Sequence, residues 1–143
     1  MDNAYNPISG EDPLPYSELA HLFLSIRTQI KLYHWQTRIY ARHKATDRFL
    51  DTFEPLVDRF VEAAQGIAGI GKERGSRIGP RHKSMVTAGR GPTDETASEY
   101  LSGFRDYIAD ENIRANISES ELLQILDDIL EICDVTLYLF TLK

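Results

Sequence analysis

The stretch LYHWQTRIYARHKATDRFLDTFEPLVDRFVEA, residues 32–63, carries two patterns at once. The first is an apolar stripe at helical spacing, Phe49, Phe53, Leu56, Val57 and Phe60, continuing to Ala64. The second is polar: His43, Asp47, Asp51, Glu54, Asp58 and Glu62 fall on one arc of roughly 100° when successive residues turn by 100°. One imidazole and five carboxylates thus share a narrow strip beside the core face. Such a strip is the solvated outer face of many helices. It is also a cation site in waiting, because crowded carboxylates repel unless neutralised and no basic residue is interspersed along it. Oxygen donors with one or two imidazoles suit iron, manganese or zinc. His43 and Asp58 stand about 22 Å apart along a helix and cannot bind one ion within a subunit. Two copies packed antiparallel about a two-fold axis would bring His43 of one near Asp58 and Glu62 of the other.

Working outward, a first helix is expected from about Ser17 to Gln36, just after Pro15, with Leu19, Leu22, Phe23, Ile26, Ile30 and Tyr33 on its core stripe. His34 lies at the edge of that stripe and His21 nearly opposite it. The second helix spans about Tyr40 to Gln65, with Gly66 as its stop and a kink at Pro55, which cannot donate to the Asp51 carbonyl. Residues 66–92 are rich in glycine and basic side chains and read as a long crossover between the second and third helices. Thr93 caps a third helix to about Ala109, with Ala97, Tyr100, Leu101, Phe104, Tyr107 and Ile108 inward. Ser118 with Glu121 forms a capping box for the fourth. That helix is apolar almost all round after Ile129 and should be the most buried of the four. The fold class is therefore all-α: a four-helix bundle over residues 15–143, behind a flexible tail at 1–14.

The His34-Trp35 pair, the His43-Lys44-Ala45-Thr46-Asp47 run and Asp58-Arg59-Phe60-Val61-Glu62, fifteen residues after His43, resemble the first two helices of the ferritin-like proteins of the starved-cell DNA-protecting type, the small dodecameric ferritins. The likeness covers Leu19 to Glu62 and looks nearest to the ferritin-like proteins of large DNA viruses and phages. It implies a ferritin-like bundle with an inter-subunit ferroxidase site, oxidising Fe²⁺ with O₂ or H₂O₂. His34, His43 and Asp47 would come from one chain, and Asp58 and Glu62 from its dimer mate. The two histidines would supply nitrogen donors and Asp58 an oxygen. Glu62 would bridge two irons, and Asp47 would hold a second, weaker one. Catalysis would fall on His43, Asp58 and Glu62. The link after His34-Trp35 is shorter than that family's, so His34 rests on resemblance more than His43 does.

The remaining features bound the reading. A single cysteine, Cys133, excludes an internal disulfide framework and a zinc finger and fits a reducing, cytoplasmic setting, or host cytoplasm and virion for a viral protein. The acidic, Pro/Gly-rich start has no signal-peptide pattern, and no apolar run is long enough for a membrane span. A net charge of −6 argues against a general nucleic-acid surface, though the basic segment 72–90 could bind one locally. GIAGIGKE, residues 66–73, ends in Glu73 where a phosphate loop needs a hydroxyl. ELAH, residues 18–21, reads as a solvated pair, Trp35 as a packing or helix-end residue, and Cys133 as inert core. The expectation is an iron-binding, self-associating bundle forming a two-fold dimer or a larger cage. Its rival is a structural or assembly protein, such as a virion component, built on the same bundle without metal chemistry.

Overall fold

The computed structural model describes residues 15–69 and 91–143. These fold into α1 (Pro15–Gln36), α2 (Tyr40–Gly69), α3 (Ala97–Ala109), α4 (Glu111–Arg114) and α5 (Ser120–Leu139), and no strand occurs among the described residues. The all-helical expectation holds, with four main helices and one additional turn, α4. Asp110 makes that turn: its backbone N–H closes α3 on the Tyr107 carbonyl, and its side chain accepts from the Asn112 N–H at 2.7 Å. The expected tail, the phosphate-loop-like sequence beyond Gly69 and the basic stretch 72–90 lie outside the described residues. No described helix is long and apolar enough to cross a membrane.

Side-chain contacts at the two ends of the bundle give the chain direction. At one end meet Tyr33, late in α1; Arg42, early in α2; Asp94, just before α3; and Phe140, just after α5. Toward the other, Tyr16 at the start of α1 packs edge-on to Phe60 of α2 and donates to the Glu119 carboxylate ahead of α5 at 2.8 Å. Hence α1 and α2 run antiparallel, α3 and α5 run antiparallel, and α2 and α3 run parallel. A parallel second and third helix require a connection between opposite ends of the bundle.

The core confirms the stripes read from the second and third helices and refines their edges. Phe49, Phe53, Leu56, Val57, Phe60 and Ala64 are all buried, as are Ala97, Leu101, Phe104 and Ile108. Tyr100 is only half-buried and Tyr107 is exposed, so the inward face of α3 is narrower than expected. Phe23 is the hub. Its ring meets Phe53, Phe60 and Phe104 edge-to-face at 5.9, 5.4 and 6.2 Å, joining three helices with geometries that add about 0.5–1.5 kcal/mol per pair beyond area burial.

Several expectations need correction. Thr93 is not the cap of α3: Thr96 holds that position, and the Thr93 carbonyl instead accepts from the Thr96 and Ala97 N–H groups in the turn before the helix. The helix α2 runs past Gly66, its expected stop, to Gly69, with Pro55 inside it. The proline is exposed and follows Asp51 on the wet side, where water can satisfy the carbonyl left without a donor. Gly66 stays helical, at the modest cost of a mid-helix glycine. Ser118 does not cap α5. Glu119 occupies that position, its carboxylate engaged by Tyr16 rather than by the helix N–H groups. Nor is α5 the most buried helix. Tyr138 is 62% exposed, while α1 buries a wide arc that includes Ala20, His21, Gln29 and His34. His21 is thus not the solvated residue that its position opposite the stripe suggested. A helical wheel locates one face and is blind to whatever covers the other.

Two stability measurements follow. Phe23→Ala should cost about 3–5 kcal/mol, as large-to-small changes at fully buried aromatics do, and a loss below about 1 kcal/mol in urea unfolding would contradict the hub. Burial, assisted by the Asp134 charge, pushes the Cys133 thiol up to about 12. Ellman's reagent should therefore leave it untouched in the native protein and react fully in denaturant; fast native labelling would place the thiol elsewhere.

Candidate metal centre

The corner between α1 and α2 contains only Thr37, Arg38 and Ile39. It is made by the Thr37 N–H to Tyr33 carbonyl bond at 2.8 Å, by the Arg42 and His43 N–H groups on the Ile39 carbonyl, and by the Thr37 hydroxyl accepting from the Ile39 N–H at 3.2 Å. So short a corner sets the last turn of one helix against the first turn of the next. His34 and His43, near those two ends, are brought face to face. Their rings stack with centroids 4.0 Å apart and an interplanar angle of 17°. The short link therefore does not strand His34; it presses His34 onto His43.

The hydrogen bonding of the pair is reciprocal. His34 Nδ1 lies 3.0 Å from the His43 carbonyl, and His43 Nδ1 lies 3.0 Å from the His34 carbonyl. A carbonyl can only accept, so both Nδ1 atoms must carry hydrogen. The Thr46 hydroxyl completes the arrangement. It donates to the Arg42 carbonyl at 2.8 Å and lies 2.9 Å from His34 Nδ1, whose N–H it shares with the His43 carbonyl. Burial, then the neighbouring His43, lowers the His34 pKa and so disfavours the imidazolium. In the neutral Nδ1–H form the lone pair sits on Nε2. Backbone carbonyls that hold Nδ1–H in this way are the usual means of presenting Nε2 to a metal.

The carboxylates are arranged differently. Asp47, Asp51, Asp58 and Glu62 are exposed along the outer side of α2. Glu54 is engaged: the Arg27 Nε–H group, from α1, lies 2.6 and 2.9 Å from its two oxygens. The strip that looked free of basic residues in sequence thus receives one from the neighbouring helix, in an exposed pair contributing about 0–1 kcal/mol. Arg27 and Lys31 from α1 and Leu50, Asp51, Glu54, Pro55 and Asp58 from α2 line an open groove of about 420 Å³. Among the described residues of one chain, no group of three or more His, Cys, Asp or Glu side chains is placed to hold a metal ion. The structure brings His34 and His43 together. It does not bring Asp58 or Glu62 to them.

A third layer was not foreseen. The Asp94 carboxylate accepts from the Tyr33 hydroxyl at 2.8 Å, from the Thr37 hydroxyl and from the Arg38 N–H at 3.2 Å. The Arg42 guanidinium donates to the Tyr33 oxygen at 2.9 Å and to the Asp94 carbonyl at 3.2 Å, and lies over the Phe140 ring, 4.5 Å from its centroid. Nothing local in the sequence announces the bonds to Asp94, whose partners lie 52 to 61 positions away. Thr46 did leave a signal: a threonine inside a helix commonly bonds back to the carbonyl four residues earlier, here that of Arg42.

Burial works to raise the Asp94 pKa, but the hydroxyl and N–H donors together with Arg42 outweigh it and hold it below the ordinary value. A carboxylate so depressed stabilises the fold fully above the unfolded pKa of about 4 and loses that contribution as pH falls through the folded value. Asp94→Asn should therefore destabilise by about 1–2 kcal/mol at pH 7. The gap from wild type should close on acidification; a gap independent of pH in parallel urea titrations would show that the charge is not what holds the corner.

The family model described as "Family of unknown function (DUF5856)" matches residues 34–140, which takes in the histidine pair and all of α2 to α5. No curated protein and no solved structure matches the chain. The match covers most of the sequence and begins at His34 itself: the chain belongs to the DUF5856 family, whose function is unknown.

Proposed function

We infer that the chain is one subunit of a ferritin-like two-fold dimer that binds iron at a centre built between subunits and oxidises Fe²⁺ there. One observation carries this reading. Two histidines from adjoining helices each spend Nδ1–H on the other's backbone carbonyl, which leaves two Nε2 donors at one corner of the bundle. A pair of imidazoles suits iron, zinc or manganese but completes the shell of none of them. The described residues of the chain group no third donor with them, so the remaining donors are sought elsewhere. In this scheme they are Asp58 and Glu62 of the facing copy, with Asp47 of the first chain offering a further oxygen.

The surface around the pair supports a second copy. Trp35, Ile39 and Tyr40 are 65%, 39% and 74% exposed beside the histidines, and Tyr40 is ranged near-parallel to His43 at 6.5 Å. In the groove, cations on α1 lie alongside carboxylates on α2. A surface with both signs side by side can be its own complement when rotated about a two-fold axis. Within the site, His34 and His43 would hold the substrate Fe²⁺ through nitrogen. The carboxylates would balance its charge and favour the ferric product, and the half-buried corner would limit water.

A bundle serving only in assembly is the second reading, favoured by the Arg27–Glu54 pair, which already satisfies part of the acidic strip. Anaerobic Fe²⁺ titration followed by O₂ or H₂O₂, read as ferric absorbance, separates the two. Wild type should bind and oxidise iron, while His43→Ala and Asp58→Ala should each lose at least about tenfold in rate. Equal behaviour of all three proteins would leave only the assembly role. Trp35 is the sole tryptophan, so its emission should shift to the blue as protein concentration rises through the dimer constant. A concentration-independent, water-exposed spectrum would contradict association through this corner.

A further inference from the structure

The histidine pair is held by backbone carbonyls, so its geometry depends on whatever holds those carbonyls. His34 directly follows Tyr33, and His43 directly follows Arg42. Both of these neighbours reach into the network centred on Asp94: Tyr33 donates to its carboxylate, and Arg42 donates to the Tyr33 oxygen and to the Asp94 backbone. Thr37 and the Arg38 N–H, from the corner between the histidines, bond to the same carboxylate. Asp94 is itself held in place. Gly91, three residues before it, packs so closely on the Gln29 side chain that a Cβ would overlap the amide oxygen, and Pro92 is buried. On the far side the Phe140 ring covers Arg42. One acidic side chain thus ties the approach to α3 to both helix ends that carry the histidines.

We propose that Asp94 is a positioning residue for the His34–His43 pair. Through Tyr33, Thr37, Arg38 and Arg42 it sets the α1–α2 corner at the separation where each imidazole Nδ1–H meets the other residue's carbonyl. In doing so it dictates that Nε2 is the nitrogen left unprotonated on both rings. Its functional meaning rests on the metal reading above, but the effect belongs to the metal-free protein. With the carboxylate gone, Thr37 and the Arg38 N–H lose their acceptor. Tyr33 loses its acceptor on the α3 side and keeps only Arg42, whose bond to the Asp94 backbone carbonyl remains. The corner then opens, the two carbonyls drift from the rings, and the imidazole proton is no longer directed to Nδ1.

Long-range ¹H–¹⁵N spectra of metal-free protein, recorded above the imidazole titration range, report which ring nitrogen carries the proton. His→Gln variants assign the signals. In wild type both His34 and His43 should be in the Nδ1–H form. Asp94→Ala should shift one or both toward Nε2–H, and the milder Asp94→Asn, which decides the matter should the alanine variant not fold, should move them in the same direction. Leu122→Ala removes a fully buried side chain elsewhere in the bundle and should lower stability while leaving both tautomers unchanged. The proposal is overturned if wild type lacks the Nδ1–H forms, if the folded Asp94 variants retain them, or if Leu122→Ala shifts them equally. In an Fe²⁺ titration, the Asp94 variants should bind roughly 10–100-fold more weakly than wild type. A wild type with the expected tautomers but no iron affinity removes the metal reading and leaves the positioning role intact.

Discussion

Three residues separate a 22-residue helix from a 30-residue one, and the organisation at that end of the bundle depends on this brevity. A longer link would let α1 and α2 pack through their apolar stripes while their ends wandered. With only Thr37, Arg38 and Ile39 available, the last turn of α1 and the first turn of α2 must share space, and the polar groups in that space must satisfy one another. They do so reciprocally, each histidine through the other's carbonyl. The backbone groups that a helix end leaves unpaired become the devices that orient two side chains. Asp94 arrives from the far end of a long connection and closes the same corner from the α3 side. The presentation of the imidazoles is thus a consequence of one turn.

The same constraint separates what one chain supplies from what it lacks. Nitrogen donors gather at the corner, while the exposed carboxylates of the strip run away from it down α2. Asp58 lies four turns beyond His43, and no bending of a continuous helix would close that distance. On the proposed reading the geometry is economical. An antiparallel copy reverses the order of donors, so the distant end of one α2 reaches the corner of the other. The mixed charge of the groove, Arg27 and Lys31 against Asp51 and Asp58, suits that reversal as well.

Much of this was legible in the residues. The period of Leu19, Phe23, Ile26 and Ile30, and that of Phe49, Phe53 and Phe60, placed two helices to within a few residues, because burial of one face is repeated at every turn. The parallel course of α2 and α3 follows from the contacts at the two ends of the bundle. His34 and His43 were both singled out. Their stacking was not, because a wheel gives the direction of a side chain and says nothing about how sharply the chain turns between two helices. Asp94, Arg27 and Glu119 were missed for a related reason. Each acts through a polar contact with a residue distant in sequence, Tyr33, Glu54 and Tyr16 respectively, and such pairs leave no periodic trace. The burial of His21 escaped for want of any signal about the second surface of α1.

The central claim is that a working centre needs two chains, and complementation tests it most directly. His43→Ala and Asp58→Ala subunits, each inactive alone, are unfolded together and refolded as a mixture. In a mixed dimer one centre carries both substitutions, while the other pairs an intact His43 with an intact Asp58. With half of the dimers mixed and one of two centres whole in each, the account predicts recovery of roughly one quarter of wild-type iron oxidation. A mixture that forms mixed dimers yet oxidises no more iron than either variant alone would contradict it.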